Sequence, residues 1–439
     1  MIRKLLSSQL RINMASGMVT TVINTVAMVV AYPIYLHFLG YEKYGVWLVL
    51  ATVLTFAQLG NLGMGQAVMK LVAEEYGRGN IEGIQHYVTT ALALLCVSGT
   101  VALIIILALK NQIVAAFKLS DENAKMVLWL LPYIGVLSIY VFVVQVFEAL
   151  LSGLGRMDLT NYIQSLGRGI SVAVAGLLLF IGFGVKSLLI GSILSYLFIH
   201  IVSLVCIWRI APIRFLQINS FDVYRCKRLL HFGGAVFGNS LISILLSPFN
   251  KLLLSRYAGV FTIPIYEITF AGSMQVRALI EVGFRALMPE ISRLSEDKTK
   301  YAKNKISQIY RDAMKVIFLL GIPMYGVFAI FAPLLLRIWL RDRYVETLPG
   351  VFRIMLVGTF LTLVGVPAYY STMGFGRVRD IVKTNIMSAG GNFVLVTGYY
   401  ALTGNLSVYT VAWCFVLSNV IPLAYFLYIT RYLLASDTE

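Results

Sequence analysis

Long apolar runs alternate with short polar breaks along the whole chain. Each run is close to the roughly 20 residues that a helix needs to cross a bilayer. Together with glycine, proline and charge punctuation, that length places twelve spans. The first six lie at about 12–38, 45–69, 85–109, 126–152, 159–182 and 187–208. The second six lie at about 230–255, 264–289, 313–336, 347–372, 380–402 and 407–430. The pattern predicts an all-α polytopic membrane protein.

One run breaks its own rule. Residues 273–286, SMQVRALIEVGFRA, carry Arg277, Glu281 and Arg285 inside an apolar stretch from Pro264 to Met288. If the eighth span is one continuous helix, Arg277 lies about twelve residues, or roughly 18 Å, from each end. Its side chain is too short to snorkel that far, so it must meet a hydrated cavity or a buried partner. Four-residue steps keep Ser273, Arg277, Glu281 and Arg285 on one face. Glu281 can neutralise one arginine through an i, i+4 pair, which leaves a net positive stripe.

Charge sets the orientation. With the N-terminus inside, roughly 22 Lys and Arg fall in inside segments and roughly nine in outside loops, as the positive-inside rule requires. The strongest inside segments are 209–230 and 290–315. Both termini are then expected in the cytoplasm. An even count per half gives the halves one orientation, and a repeat supports a duplication. SGLGRMDLTN (Ser152–Asn161) follows the fourth span and MGFGRVRDIVKTN (Met373–Asn385) follows the tenth. Gly153, Gly155 and Arg156 match Gly374, Gly376 and Arg377, and at nearly the same offset Tyr44 and Glu74 match Tyr266 and Glu296. Two parallel six-helix repeats follow, with lobes at 1–215 and 216–439 joined by the basic linker.

Composition agrees with the pattern. The 439 residues are 59% hydrophobic and 13% charged, where soluble domains carry about 25% charged residues. The basic start (MIRKLLSSQLR) precedes an apolar stretch too long for a signal peptide's h-region, so it reads as a retained first span. The net charge of +16 fits the inside bias and anionic headgroups better than nucleic acid. Cys96, Cys206, Cys226 and Cys414 fall in spans or on the cytoplasmic side and form no CxxC pair, so neither a disulfide framework nor a zinc site is expected.

The polar groups inside spans carry the candidate chemistry. The basic ones are Arg168, Lys251, Arg277, Arg285 and Arg353; the acidic ones are Glu148, Glu281 and Glu267. Arg168, Lys251 and Arg353 are placed where partial snorkelling is open to them. The excess of cations favours an anionic cargo, because arginine binds phosphate oxygens bidentately. Asn24, Gln58, Asn61 and Asn239 sit on the spans that begin each half, where a cavity could form, although amides also bond between helices. Pro33, Pro248, Pro367, Pro422 and the Gly60–Gly65 cluster can bend helices. The chain has no Walker loop, HExxH or nucleophile elbow, and its four histidines lack metal-ligand spacing. The expectation is a transporter rather than an enzyme, without cofactor or metal.

Several stretches resemble a known family. YPIYLHFLGYEKYGVWLVLATVLTFAQLGNLGMGQAVMKLVAEEYGRGN (Tyr32–Asn80) is similar to the second-helix region of polysaccharide exporters in the multidrug/oligosaccharidyl-lipid/polysaccharide (MOP) superfamily. NKLLLSRYAGVFTIPIYEITF (Asn250–Phe270) resembles its counterpart in the second half, with Asn250 where an aspartate is frequent; the GLGR and GFGR turns fit as well. The resemblance implies a MATE/MOP-like fold of two V-shaped lobes around a central cavity lined by spans 1, 2, 7 and 8. It also implies a Wzx-type flippase in the bacterial inner membrane. Such a protein moves an undecaprenyl-diphosphate-linked oligosaccharide, such as an O-antigen unit of lipopolysaccharide, between leaflets. Glycan polymerase and chain-length regulator proteins are the implied partners. On this reading Arg277, Arg285, Lys251, Arg168 and Arg353 hold the diphosphate, with Arg11 at the inner mouth and Asn24, Gln58, Asn61 and Asn239 in the cavity. Glu281 and Glu148 are the candidates for ion coupling. The competing readings are a cation-coupled multidrug exporter of the same fold and a membrane enzyme acting on polyprenyl-linked sugars. Peptidoglycan-precursor flippases share the core but commonly carry two more spans.

Overall fold

The computed structural model describes residues 2–211, 222–284, 287–295 and 299–435, and these are helical almost throughout. Two compact units divide the chain, Met1–Leu241 and Ile242–Glu439. The first holds α1 (Ile2–Ala57), α2 (Met64–Gly77), α3 (Ile81–Ala108), α4 (Lys110–Phe117) and α5 (Asp121–Gly153). It continues through α6 (Met157–Phe180), α7 (Lys186–Ile210) and the first half of α8 (Val223–Ala258). The second holds the rest of α8, α9 (Thr262–Glu281), α10 (Leu287–Ser295), α11 (Lys300–Ile330) and α12 (Ala332–Leu340). It ends with α13 (Thr347–Val364), α14 (Val366–Gly374), α15 (Val378–Thr403), α16 (Val408–Ser418) and α17 (Val420–Ala435).

Each of the twelve stretches read from the sequence is largely helical in its described residues, and eight helices among those residues are long and apolar enough to cross a membrane. Several spans are broken rather than continuous. The first two spans run together as α1, which kinks at Gly40 (φ 68, ψ 178), a conformation that glycine adopts without steric cost. The Gly60–Gly65 cluster unwinds into a 3-10 turn at Gln58–Asn61, and Gly63 follows at φ 73. Proline bends two other spans: Pro367 opens α14 after a break at Gly365, and Pro422 lies just past the break between α16 and α17. Pro33 and Pro248 sit inside α1 and α8, Pro33 ahead of the Gly40 kink.

In the first unit α5 is the central helix. It packs against α1, α2, α3 and α7, while α6 lies along α1 and α7. Membrane helices associate without a hydrophobic driving force, so close contact depends on small residues. A Cβ on Gly191 of α7 would lie 2.7 Å from the Ser171 carbonyl of α6, so the two backbones nearly touch. The first half of α8 is held to this unit by Arg228, whose guanidinium donates to the Tyr87 hydroxyl at 2.8 Å and to Glu74 at 2.7 Å. The first compact unit runs past this contact to Leu241, inside α8.

In the second unit α13 is central, packed against α9, α11 and α16, with α15 beside α16 and α17. Gly358 of α13 meets the Phe415 ring of α16 where a Cβ would be 2.6 Å away.

The repeat motif gives the same turn in each unit. After α5, Gly155 (φ 84) lets Arg156 N–H reach back to the Leu151 carbonyl at 3.2 Å; after α14, Gly376 (φ 71) lets Arg377 N–H reach the Thr372 carbonyl at 3.0 Å. Each arginine then grips an aspartate in the first turn of the next helix, Arg156 on Asp158 at 3.0 Å and Arg377 on Asp380 at 2.7 Å. Both aspartates are buried. Glu296, the second-half match of Glu74, lies among the residues not described.

Candidate functional site

The second unit contains a cavity of 320 Å³ into which Arg277 projects. Phe270 and Met274 of α9 line it beside Arg277, with Thr362, Tyr369, Ser388, Phe415 and Asn419 from the helices around it. Leu361 and Thr362 fall midway along α13–α14, Ser388 and Ala389 midway along α15, and Asn419 midway along α16–α17. Arg277 therefore meets its neighbours at the middle of three other spans, the position where a charge is most costly.

The route to that depth differs from the continuous helix expected. Helix α9 ends at Glu281 and passes into a 3-10 turn at Val282–Phe284, so Arg277 stands one turn before a helix break rather than at the centre of one helix. Gly283 falls in the turn, and glycine is a poor helix residue. Arg285 lies beyond this break, outside the described residues.

Glu281 takes up part of the arginine's charge. Nη2 of Arg277 is 3.1 Å from the Glu281 carboxylate, and the pair is about three-quarters buried. The Tyr370 hydroxyl donates to the other Glu281 oxygen at 3.5 Å. Nε of Arg277 is buried and has no acceptor among the described residues. A buried donor left unmade is costly, so the guanidinium keeps capacity for an anionic oxygen.

The other two described cations that the sequence places inside spans of this unit, Lys251 and Arg353, are engaged elsewhere. Lys251 forms a 2.7 Å ion pair with Glu267 and is 11% exposed, which makes it a buried neutral pair rather than a snorkelling lysine. Arg353 is exposed, and its Nε donates to the Ala329 carbonyl at 2.8 Å. Neither lines the Arg277 cavity. Asn250 is fully buried and donates to the Tyr266 hydroxyl at 3.1 Å.

A second cavity, of 390 Å³, lies wholly within the first unit. It brings together four of the residues singled out in the sequence, Asn24, Gln58, Glu148 and Arg168. Arg168 stands at the midpoint of α6, deeper than the sequence suggested, and has no ion-pair partner among the described residues. Glu148 and Arg168 both lie within electrostatic reach of the Tyr196 hydroxyl. Asn61 is not on the lining; its amide donates to the Gln145 carbonyl oxygen. The side chains of Arg11 and Asn239 lie outside the described residues.

Sequence reasoning singled out Arg168 but did not join it to the rest of this lining. Gln164, Arg168 and Ser171 recur at i, i+4 and i+7 on α6, and Ser192, Ser195 and Tyr196 at i, i+3 and i+4 on α7. That spacing puts each set on one helix face. It is the same signal that drew attention to the α9 stripe, but apart from Arg168 it is carried by uncharged groups.

Residues 36–349 match the model of a family described as polysaccharide biosynthesis protein. The "Putative O-antigen transporter" of Shigella flexneri is 18% identical over 345 residues, 78% of this chain and 79% of that one. The inward-facing conformation of a multidrug resistance MATE family transporter of the MOP superfamily superposes with a TM-score of 0.79 at 16% identity, over 98% of both chains. The lipid II flippase MurJ, in an inward closed conformation, gives a TM-score of 0.74 at 14% identity, over 94% of this chain and 87% of that one. The chain is a multi-pass membrane protein with the fold of the MOP superfamily, and it belongs to the polysaccharide biosynthesis protein family.

Proposed function

We propose that this protein is a flippase, carrying an undecaprenyl-diphosphate-linked oligosaccharide from the inner to the outer leaflet of the bacterial inner membrane. The observation that carries this reading is Arg277, held at mid-span on a cavity with a buried, unclaimed Nε donor. A diphosphate offers oxygens that match a guanidinium fork, and the hydrocarbon tail stays in lipid while the head group passes through the protein. Arg277 and, beyond the helix break, Arg285 hold the diphosphate. Lys251 and Arg353 serve the fold. The two units alternate access to the two leaflets with both termini in the cytoplasm. Glu281, paired to the binding arginine, is the group through which a proton or sodium gradient couples to release. A glycan polymerase and a chain-length regulator take the product on the outer side.

The family supports this reading, as do the names of the relatives, an O-antigen transporter and a lipid II flippase. The test is complementation. In the host lacking this protein, the wild type restores surface glycan and Arg277→Ala, at equal membrane abundance, does not. Full restoration by Arg277→Ala refutes the assignment.

A second reading, a cation-coupled multidrug exporter, draws on the structural likeness to the MATE transporter. It wants membrane carboxylates for cationic drugs, and the first span, at about 12–38, has none. Lost surface glycan with unchanged drug tolerance on deletion separates the two.

A further inference from the structure

We infer that the cavity of the first unit is a saccharide subsite, which takes a neutral sugar of the cargo's head group; the inference rests on the flippase reading above. Four amides line this cavity, Asn24, Gln58, Gln145 and Gln164, together with serine hydroxyls and the Tyr196 phenol. An amide both donates and accepts, and so does every hydroxyl of a sugar, so a polyol satisfies such a lining where an apolar ligand does not.

The charges point the same way. One carboxylate, Glu148, and one guanidinium, Arg168, line the cavity together. A bare phosphate placed here meets Glu148, and a bare cation meets Arg168, so neither ion is favoured over a neutral, hydrogen-bonding guest. The second unit's cavity has the opposite character, with one arginine among largely apolar and aromatic side chains. The volume of 390 Å³ falls in the range of roughly 300–1,000 Å³ typical of small-molecule sites.

One polar atom is left waiting. Oδ1 of Asn24 is buried and has no donor among the described residues. Buried acceptors are costly when unmet, and a guest hydroxyl satisfies this one. The subsite therefore selects cargo by its sugar.

The test uses the purified full-length protein in detergent and two probes, undecaprenyl diphosphate and undecaprenyl-diphosphate-linked N-acetylglucosamine. The wild type is expected to bind the sugar-bearing lipid about tenfold more tightly. Gln164→Leu and the nearly isosteric Tyr196→Phe each abolish that preference and leave affinity for the sugar-free lipid unchanged, which also shows that they are folded. Equal binding of the two lipids by the wild type overturns the inference, as does equal loss of both in the two cavity variants. It is also overturned if those variants keep the sugar preference and lose a sodium or pH dependence instead, the outcome expected of a cation site. Binding of neither lipid by the wild type removes the flippase reading, and the subsite with it.

Discussion

Nη2 of Arg277 lies 3.1 Å from Oε2 of Glu281, one turn further along α9. The contact neutralises the arginine without using up its donors, because Nε remains free. Glu281 thus competes with an incoming diphosphate for the same guanidinium. Glu281→Gln removes the competitor and is expected to tighten binding of undecaprenyl diphosphate about tenfold while slowing release. Titration of the purified variant against the wild type reads the first effect, and turnover in vesicles reads the second.

Lys251 and Glu267 form another largely buried pair in the second unit, at 2.7 Å. Removing one partner strands a charge away from water, so Lys251→Ala is expected to cost about 3 kcal/mol of stability. Replacing both with apolar residues of similar volume, Lys251→Met with Glu267→Leu, recovers most of that loss. Thermal unfolding in detergent checks the pattern. If the double variant still restores surface glycan, the pair is structural.

The repeat predicts a symmetry of effect. Arg156 and Arg377 grip buried aspartates after glycine turns of the same form. Arg156→Ala and Arg377→Ala are each expected to lower stability by about 1–3 kcal/mol, since each leaves a buried carboxylate short of a charged donor. Substitution of Gly155 or Gly376 by valine strains a backbone at positive φ and acts in the same direction. Paired melting curves measure both.

Close helix contact makes a fourth prediction. Gly191→Ala puts a Cβ 2.7 Å from the Ser171 carbonyl and forces α6 and α7 apart. Overpacking of this kind costs about 1–3 kcal/mol. Ser171 also lines the first unit's cavity, so the variant is expected to disturb glycan export more than its stability loss alone explains.

Much of this architecture was legible in the chain. Apolar run length located the helices, and the GLGR and GFGR motifs located two matching turns, because glycine at positive φ and an arginine near an aspartate are local chemistry. The helix breaks were less visible. Gly283 and Gly365 interrupt spans whose apolar pattern continues straight through them, and hydropathy does not report backbone hydrogen bonds. That is why Arg277 was assigned to the centre of one long helix. Lys251 and Glu267 are sixteen residues apart in sequence, and only the packing of α8 on α9 brings them together. The lining of the first cavity was harder still. Its amides and hydroxyls come from α1, the 3-10 turn after it, α5, α6 and α7, and each one alone reads as an ordinary contact between helices.

The most direct test of the account is the rate at which wild-type and Arg277→Ala proteins, in sealed vesicles at equal density, move an undecaprenyl-diphosphate-linked oligosaccharide across the bilayer. The account predicts a loss of about 100-fold or more in the variant, the equivalent of one strong charge-assisted contact, with only partial recovery in Arg277→Lys, because a point charge replaces a bidentate fork. Translocation by Arg277→Ala at the wild-type rate would contradict it.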